Sequence, residues 1–199
     1  MLRTLITIVT VALAFVLVAA PQAMASTPEG VVQERTNAVA DVLAQPESPS
    51  RTARLGAVID ESLDFAQLAK LSLGRHWEER TDEEREEFLT LLRRLLQANY
   101  EDRLSGHQVR EDYTVSYEAA RVRGDRAFVP ATIRHQDRSE EVVYRLYRHE
   151  GEWRIYDLVV DDISLEETYR EGYVPIIDED GWDELIDLMR ERVEELEGR

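Results

Sequence analysis

Four runs of alternating apolar and polar residues fill the middle of the chain and constrain the fold more than any other feature. They lie at 113–119, 125–135, 141–149 and 152–160. A period of two predicts half-buried strands, and the short polar turns between the runs predict an antiparallel meander. Pro130 cannot donate a ladder hydrogen bond, so we expect a bulge or a locally unpaired position there.

Helical periodicity dominates on both sides of these strands. Apolar residues recur every three or four positions in the segments 27–43, 50–63, 64–74, 81–104, 164–173 and 180–197. Thr81 with Glu84, and Ser164 with Glu167, fit capping boxes at two helix starts. Pro175 predicts a kink in the helix that begins at Ser164. The order of elements predicts an α+β fold, with one curved four-stranded antiparallel sheet and helices packed on one face.

The first 25 residues have the three parts of an export signal. Arg3 supplies the positive charge, residues 5–20 form an uncharged apolar run, and residues 23–25 are a small-x-small cleavage site. A membrane anchor is the alternative, but the run is short for a helix that spans a bilayer. We expect a signal peptide at 1–25, export to the periplasm, and a single mature domain at 26–199.

The charge balance excludes several classes of partner. The chain carries 41 Asp and Glu against 24 Lys and Arg, a formal net charge of -17. Nucleic acids and anionic membrane surfaces would repel such a chain. The sequence has no cysteine, which excludes disulfides, thiolate metal sites, Cys catalysis and lipid modification of an N-terminal Cys.

Residue types that carry chemistry are present, but not in catalytic or metal-binding patterns. The four histidines, His76, His107, His135 and His149, show neither H-x-x-x-H nor H-x-H spacing. No serine lies in a G-x-S-x-G context, and there is no Gly-rich phosphate loop. We therefore expect no metal site and no catalytic residues.

Asp157 is the best candidate for acid-base chemistry, because it lies within the last apolar strand. The alternative, which we favour, is an outward-facing strand residue that pairs with Arg145 or Arg154.

Aromatic residues are concentrated on the sheet and on the helix that follows it. They are Tyr113, Tyr117, Tyr144, Tyr147, Trp153, Tyr156, Tyr169 and Tyr173. The period alone favours an ordinary core. A curved sheet covered by helices can instead enclose an apolar cavity, which is a ligand site.

The segment "GEWRIYDLVVDDISLEETYREGY" at 151–173, followed by "II" at 176–177, Gly181 and "LIDL" at 185–188, resembles the signature of the MlaC family. A second block, "LAKLSLGRHWEERTDEEREEFLTLLRRLLQANY" at 68–100, is similar to another part of that family. Asp161-Asp162 replaces a common Glu-Gly, Thr168 replaces a common Asn, and Glu84 replaces the usual Gln. MlaC proteins are the periplasmic phospholipid-binding components of bacterial lipid-asymmetry ABC transport systems, also described as toluene-tolerance proteins.

This resemblance implies a non-enzymatic lipid carrier with a nuclear transport factor 2-like fold. Its curved sheet would be wrapped by helices around an apolar pocket that holds acyl chains, with the head group near solvent. The implied partners are an outer-membrane lipoprotein–porin complex and an inner-membrane ABC transporter with its substrate-binding ring. We expect a monomer that binds phospholipid and no other cofactor.

The predicted pocket takes the inward-facing strand positions and the apolar faces of three helices. It consists of Phe65, Leu68, Leu92, Leu95, Val129, Ala131, Val142, Tyr144, Leu146, Tyr156, Leu158 and Tyr169. A one-residue error in register would invert the face of a strand. We place Arg145 and Arg154 near a phosphate at the mouth, with surface ion pairing as the alternative.

Two other functions fit the sequence. One is an isomerase or dehydratase of the same broad fold that uses Asp157 and a nearby tyrosine. The other is a periplasmic adaptor with a solid core and no ligand.

Overall fold

The computed structural model describes residues 26–46, 48–105, 113–135 and 138–198. The predicted signal peptide at 1–25 and His107 lie outside the described residues.

Seven helices flank the sheet in the described residues: α1 (Pro28–Leu43), α2 (Pro49–Ser62), α3 (Phe65–Leu73), α4 (Arg75–Glu78), α5 (Asp82–Ser105), α6 (Leu165–Glu179) and α7 (Trp182–Glu197). All the predicted helices are present, and the short α4 is additional. α2 begins earlier than predicted, because Ser48 rather than Ser50 accepts the hydrogen bond from Arg51 N–H. α6 runs through Pro175 to Glu179, and the kink there stays a prediction.

Side-chain caps explain where several helices begin. The Thr81 backbone N–H donates to the Glu84 carboxylate at 2.7 Å, and Glu84 N–H donates to Thr81 Oγ1 at 3.2 Å. This reciprocal pair confirms the predicted capping box of α5. At α6, Glu167 N–H donates to Ser164 Oγ at 3.1 Å.

The described sheet contains six antiparallel strands: β1 (Tyr113–Tyr117), β2 (Arg121–Arg123), β3 (Arg126–His135), β4 (Arg138–His149), β5 (Glu152–Val160) and β6 (Ile163–Ser164). Their order is β1-β3-β4-β5-β6, and β2 pairs with β3. The four predicted strands are confirmed as β1, β3, β4 and β5. The prediction missed β2 and β6, which are too short to show a period. The sheet is antiparallel, curved and unclosed, and helices flank it. This arrangement confirms the predicted α+β fold.

Pro130 leaves a gap in the ladder rather than a bulge. The pairing of β3 with β4 passes through Pro130 and Val143 without a shift. On the other side of β3, β1 ends opposite Ala131 and β2 begins opposite Phe128. Pro130 therefore faces the loop between β1 and β2, where Glu118 N–H donates to its carbonyl oxygen at 2.9 Å. A proline is tolerated here because no strand requires its missing N–H.

One face of the sheet joins the helices in a continuous core. Phe88 of α5 lies at its centre, with ring centroids 6.2 Å from Trp77, 5.9 Å from Tyr173 and 5.6 Å from Trp182. The sheet contributes Ala127, Val129, Leu146, Trp153 and Ile155 to the same cluster. The helices thus cover the apolar face of the sheet, as the alternation predicts.

Candidate functional site

Strand pairing places six of the predicted pocket residues on one face of the sheet. Directly paired residues share a face. Val129 pairs with Tyr144, Tyr144 with Leu158, and Ala131 with Val142, while Leu146 lies two positions beyond Tyr144. Tyr144 and Leu158 are half-buried and the other four are buried. We call this set the apolar face.

Tyr156 departs from the prediction because β5 carries a bulge. Arg145 pairs with Asp157 and Leu146 with Ile155, so Tyr156 is the extra residue of β5. Its ring centroid lies 6.0 Å from that of Tyr147, a residue on the opposite side of β4 from Leu146. The assignment of Tyr156 to the apolar face is therefore wrong: a bulge shifts the alternation by one residue, and the sequence gives no signal for it.

The five predicted helix residues lie in or against the core that covers the apolar face. Phe65 and Leu68 of α3 and Leu92 and Leu95 of α5 are buried members of the cluster that contains Val129 and Leu146. Tyr169 of α6 is half-buried and packs against this cluster, with its ring stacked on Tyr173 at 5.2 Å. Burial raises the pKa of Tyr173, which keeps that phenol neutral.

Asp157 is fully buried and binds three partners. Its carboxylate lies 3.0 Å from Arg145 Nη1 and accepts hydrogen bonds from Ser164 Oγ at 2.8 Å and from Glu166 N–H at 2.9 Å. The predicted pairing with Arg145 is confirmed, and Asp157 lies with Arg145 on the side of the sheet opposite the apolar face. It is nevertheless buried, because β6 and the start of α6 cover the carboxylate. Burial raises the pKa of Asp157, while the Ser164 hydrogen bond and the Arg145 charge lower it. With its oxygens bonded to the protein, Asp157 fixes α6 to β5.

The two arginines predicted at the pocket mouth have different environments. Arg145 is bound by Asp157 and also lies 3.4 Å from Glu167, so its charge holds the start of α6. Arg154 lies on the rim of a separate cavity, where Nη1 is 3.7 Å from Asp64 Oδ2.

That cavity has a volume of about 420 Å³ and opens between α1, the α2–α3 junction, α5 and β5. Its floor is formed by four buried members of the core, Leu63, Phe65, Trp153 and Ile155. We call it the α1–β5 cavity. Phe65 is a predicted pocket residue that lines it. Sequence patterns give no signal for the cavity, because its lining residues come from segments that are far apart in the sequence, from Val31 to Ile155.

Asp64 secures the inner edge of the α1–β5 cavity. Its carboxylate caps α3 by accepting Gln67 N–H at 2.9 Å, and it accepts the Tyr147 hydroxyl at 2.5 Å. Burial and the bond to Asp64 raise the pKa of Tyr147, so that the phenol remains a donor. Asp64 N–H in turn donates to the Ile155 carbonyl at 2.7 Å, which ties the start of α3 to β5.

The described residues also bear on two other kinds of feature, a metal site and a membrane-spanning helix. Across 26–46, 48–105, 113–135 and 138–198, no group of three or more His, Asp or Glu residues is arranged to hold a metal ion. In the same part of the chain, no helix combines the length and apolar character that crossing a bilayer requires.

Comparisons with known proteins agree with this architecture. A solved structure with the same fold is the phospholipid-binding protein from Ralstonia solanacearum in complex with a phospholipid. It has a TM-score of 0.74 and 22% sequence identity, and the match covers 83% of this chain and 96% of that chain. No curated protein matches the sequence.

The family model described as MlaC protein matches residues 33–191, which include every helix and strand named above except the start of α1 and the end of α7. The two sequence blocks that resemble this family, 68–100 and 151–173, contain α4, β5 and β6 and most of α3, α5 and α6. The chain belongs to the MlaC protein family.

Proposed function

We propose that this protein is a periplasmic phospholipid carrier. It shields acyl chains against its apolar face and carries lipid between an outer-membrane lipoprotein–porin complex and an inner-membrane ABC transporter with its substrate-binding ring. The match to the MlaC family over residues 33–191 carries the proposal. The Ralstonia solanacearum protein of the same fold, which holds a phospholipid, supports it.

The energetics of acyl chains explain why such a carrier is needed. Each methylene exposed to water costs about 0.8 kcal/mol, so two chains of about 16 carbons cost on the order of 25 kcal/mol. A protein interior is nearly as apolar as a bilayer, so transfer between the two changes the free energy little and loading is reversible. The net charge of -17 disfavours resting on anionic lipid, which leaves delivery to docking on a protein partner.

Half-buried residues mark where acyl chains reach the apolar face. Tyr144 and Leu158 are paired across β4 and β5, and Tyr169 lies on α6, which begins directly after β6. These are the predicted pocket residues of the apolar face and its covering helices that retain solvent contact. In the proposed function they contact the tails, and the buried residues Val129, Leu146, Leu68 and Leu92 line the interior.

The environment of Asp157 argues against the isomerase or dehydratase alternative. A general base must reach a substrate proton through a free oxygen. Both oxygens of Asp157 are bonded within the protein, to Ser164, to Arg145 and to the Glu166 N–H.

Native mass spectrometry of freshly purified protein tests the proposal. We expect a mass that exceeds the polypeptide by that of a phospholipid, and extraction with organic solvent should release a lipid that can be identified. A bare polypeptide mass, with no lipid in the extract, would contradict the carrier function and favour the ligand-free adaptor.

A further inference from the structure

The α1–β5 cavity has an amphiphilic lining. Its floor consists of buried core side chains, while its walls carry three arginines, Arg35, Arg93 and Arg154, and four carboxylates, Asp60, Glu61, Asp64 and Glu152. A volume of about 420 Å³ lies within the usual range for a small-ligand site, which is about 300–1,000 Å³. An apolar floor beneath charged walls suits an amphiphilic molecule, which has one apolar end and one charged end.

The arginines of the α1–β5 cavity are loosely paired. Arg93 Nε is 3.9 Å from Asp60 Oδ1, and its guanidinium lies 5.5 Å above the Phe65 ring. Arg154 is 3.7 Å from Asp64, whose carboxylate already binds Tyr147. Arg35 is half-buried and forms no hydrogen bond or ion pair with any residue that the structure describes.

Three arginines elsewhere in the described chain are bound more closely than those of the cavity. Arg94, the next residue after Arg93 on α5, makes a bidentate pair with Glu197 at 2.9 and 2.6 Å. Arg75 lies 2.8 Å from Asp178, and Arg145 lies 3.0 Å from Asp157. The guanidinium groups of the α1–β5 cavity therefore keep donors for a further anion, and a phosphate is the group that best matches the planar guanidinium.

The carboxylates favour a ligand that also carries a positive charge. With four acids and three arginines, the lining is already slightly negative, and a phosphodiester alone would increase that charge. Partial burial raises the pKa of Asp60, and the nearby Arg93 lowers it, so Arg93 does not fully offset the cost of the charge on this carboxylate. An ammonium group beside Asp60 or Glu61 would restore the balance.

We propose that the α1–β5 cavity binds the head group of a zwitterionic phospholipid. Arg35 and Arg93 donate to the phosphate, Arg154 lies at its rim, and the carboxylates of α2 receive the ammonium group. This inference rests on the proposed carrier function and adds a head-group preference to it.

β5 connects the α1–β5 cavity to the apolar face. Ile155 is on the cavity floor and pairs with Leu146, which belongs to the apolar face. Leu158 lies three residues further along β5, about 10 Å away at 3.3 Å per residue. The proposed course of the acyl chains leads from the cavity along β5, past the buried side chains of Ile155 and Leu146, towards Tyr144 and Leu158.

Lipid loading from vesicles of defined composition tests this inference. The purified protein is incubated with vesicles of phosphatidylethanolamine or of phosphatidylglycerol, separated from them, and extracted to measure lipid bound per protein. We expect preferential loading from phosphatidylethanolamine. Arg35→Gln and Arg93→Gln should each reduce that loading about fivefold at subsaturating lipid, the effect of losing one charge-assisted hydrogen bond at a partly exposed site.

Arg94→Gln is the matched control, because it removes the same charge from the neighbouring residue of α5 and should leave the lipid preference unchanged. Arg35→Gln breaks no hydrogen bond or ion pair among the described residues, so its melting temperature should be close to that of the wild type. Asp60→Asn should raise loading from phosphatidylglycerol.

The outcomes separate the two proposals. If the wild type takes up neither lipid, the carrier function fails and this inference fails with it. Equal loading of both lipids, unaffected by Arg35→Gln and Arg93→Gln, would overturn the head-group site while the carrier function stands. Inorganic phosphate that displaces the bound lipid at equal concentration would identify a free-phosphate site and overturn the assignment, whereas failure to displace it supports a lipid head group.

Discussion

Asp157 connects β5, β6 and α6 through a single buried carboxylate. Asp157→Ala removes the partners of Arg145, Ser164 Oγ and Glu166 N–H together. We expect a loss of about 2–4 kcal/mol in the free energy of unfolding, because a half-buried cation loses its nearest carboxylate and two donors lose their acceptor. Urea denaturation measures this loss. Asp187→Ala is the control: Asp187 pairs with Arg190 on the exposed side of α7, so its loss should stay below about 1 kcal/mol. Equal losses for the two variants would show that Asp157 does not fix α6.

Glu29 gives a second prediction at the residue scale, one that depends on pH. Its carboxylate accepts Ala120 N–H at 2.7 Å, which joins α1 to the loop between β1 and β2. This hydrogen bond lowers the pKa of Glu29 below its ordinary value of 4.5. The pKa is lower in the folded than in the unfolded state, so the stabilisation is complete above pH 4.5 and is lost as the pH falls through the folded value.

Glu29→Gln should therefore cost about 1 kcal/mol at neutral pH and almost nothing in acid well below pH 4.5. Chemical denaturation at several pH values measures the difference. Glu34→Gln, an exposed position on the same helix, should have little effect at either pH. A Glu29→Gln cost that is independent of pH would contradict the ionic character of this contact.

Asp157 has the opposite dependence on pH. Burial raises its pKa in the folded state, so acidification through that pKa favours the folded state.

At the element scale, periodicity predicts helices, strands and faces well where an element is long and regular. Alternation places Val129, Tyr144 and Leu158 on one face, and strand pairing agrees. It misplaces Tyr156, because a bulge depends on how two strands meet and not on the composition of either one. The burial of Asp157 is missed for a related reason: it depends on how β6 and the start of α6 fold back over β5, and the alternation within β5 does not show this.

The apolar face can be tested by two neighbouring substitutions on β5. Leu158 and Val159 are both half-buried but point to opposite faces of the sheet. Leu158→Gln should reduce lipid loading severalfold, since it puts an amide where acyl chains bind, whereas Val159→Gln should load like the wild type. Extracted lipid per protein is the measurement, and melting temperatures check that both variants are folded. Equal loading by the two variants would mean that the lipid does not contact this face.

At the scale of the whole molecule, the order of elements and the charge of the chain could be predicted, but the α1–β5 cavity could not. The sequence shows helices, then strands, then helices, which is sufficient for the α+β architecture. The cavity depends on the meeting of Arg35, Arg93 and Arg154, which come from α1, α5 and β5. Within its own helix or strand, each of these arginines occupies a polar position like that of any surface residue. Their convergence arises only from tertiary packing.

Lipid binding should also determine the stability of the whole molecule. A ligand that binds only the folded state stabilises it by about 2.7 kcal/mol when its free concentration is 100 times its Kd. For a domain of this size, each kcal/mol raises the melting temperature by about 2–4 °C, so loaded protein should melt about 5–10 °C above delipidated protein. Calorimetry before and after solvent extraction and refolding measures this difference, and adding phospholipid back should restore it. Leu158→Gln should show a smaller increase, because its face binds the tails less well. Identical melting of loaded and delipidated wild type would mean that the lipid adheres to the surface without occupying the interior between the helices and the apolar face.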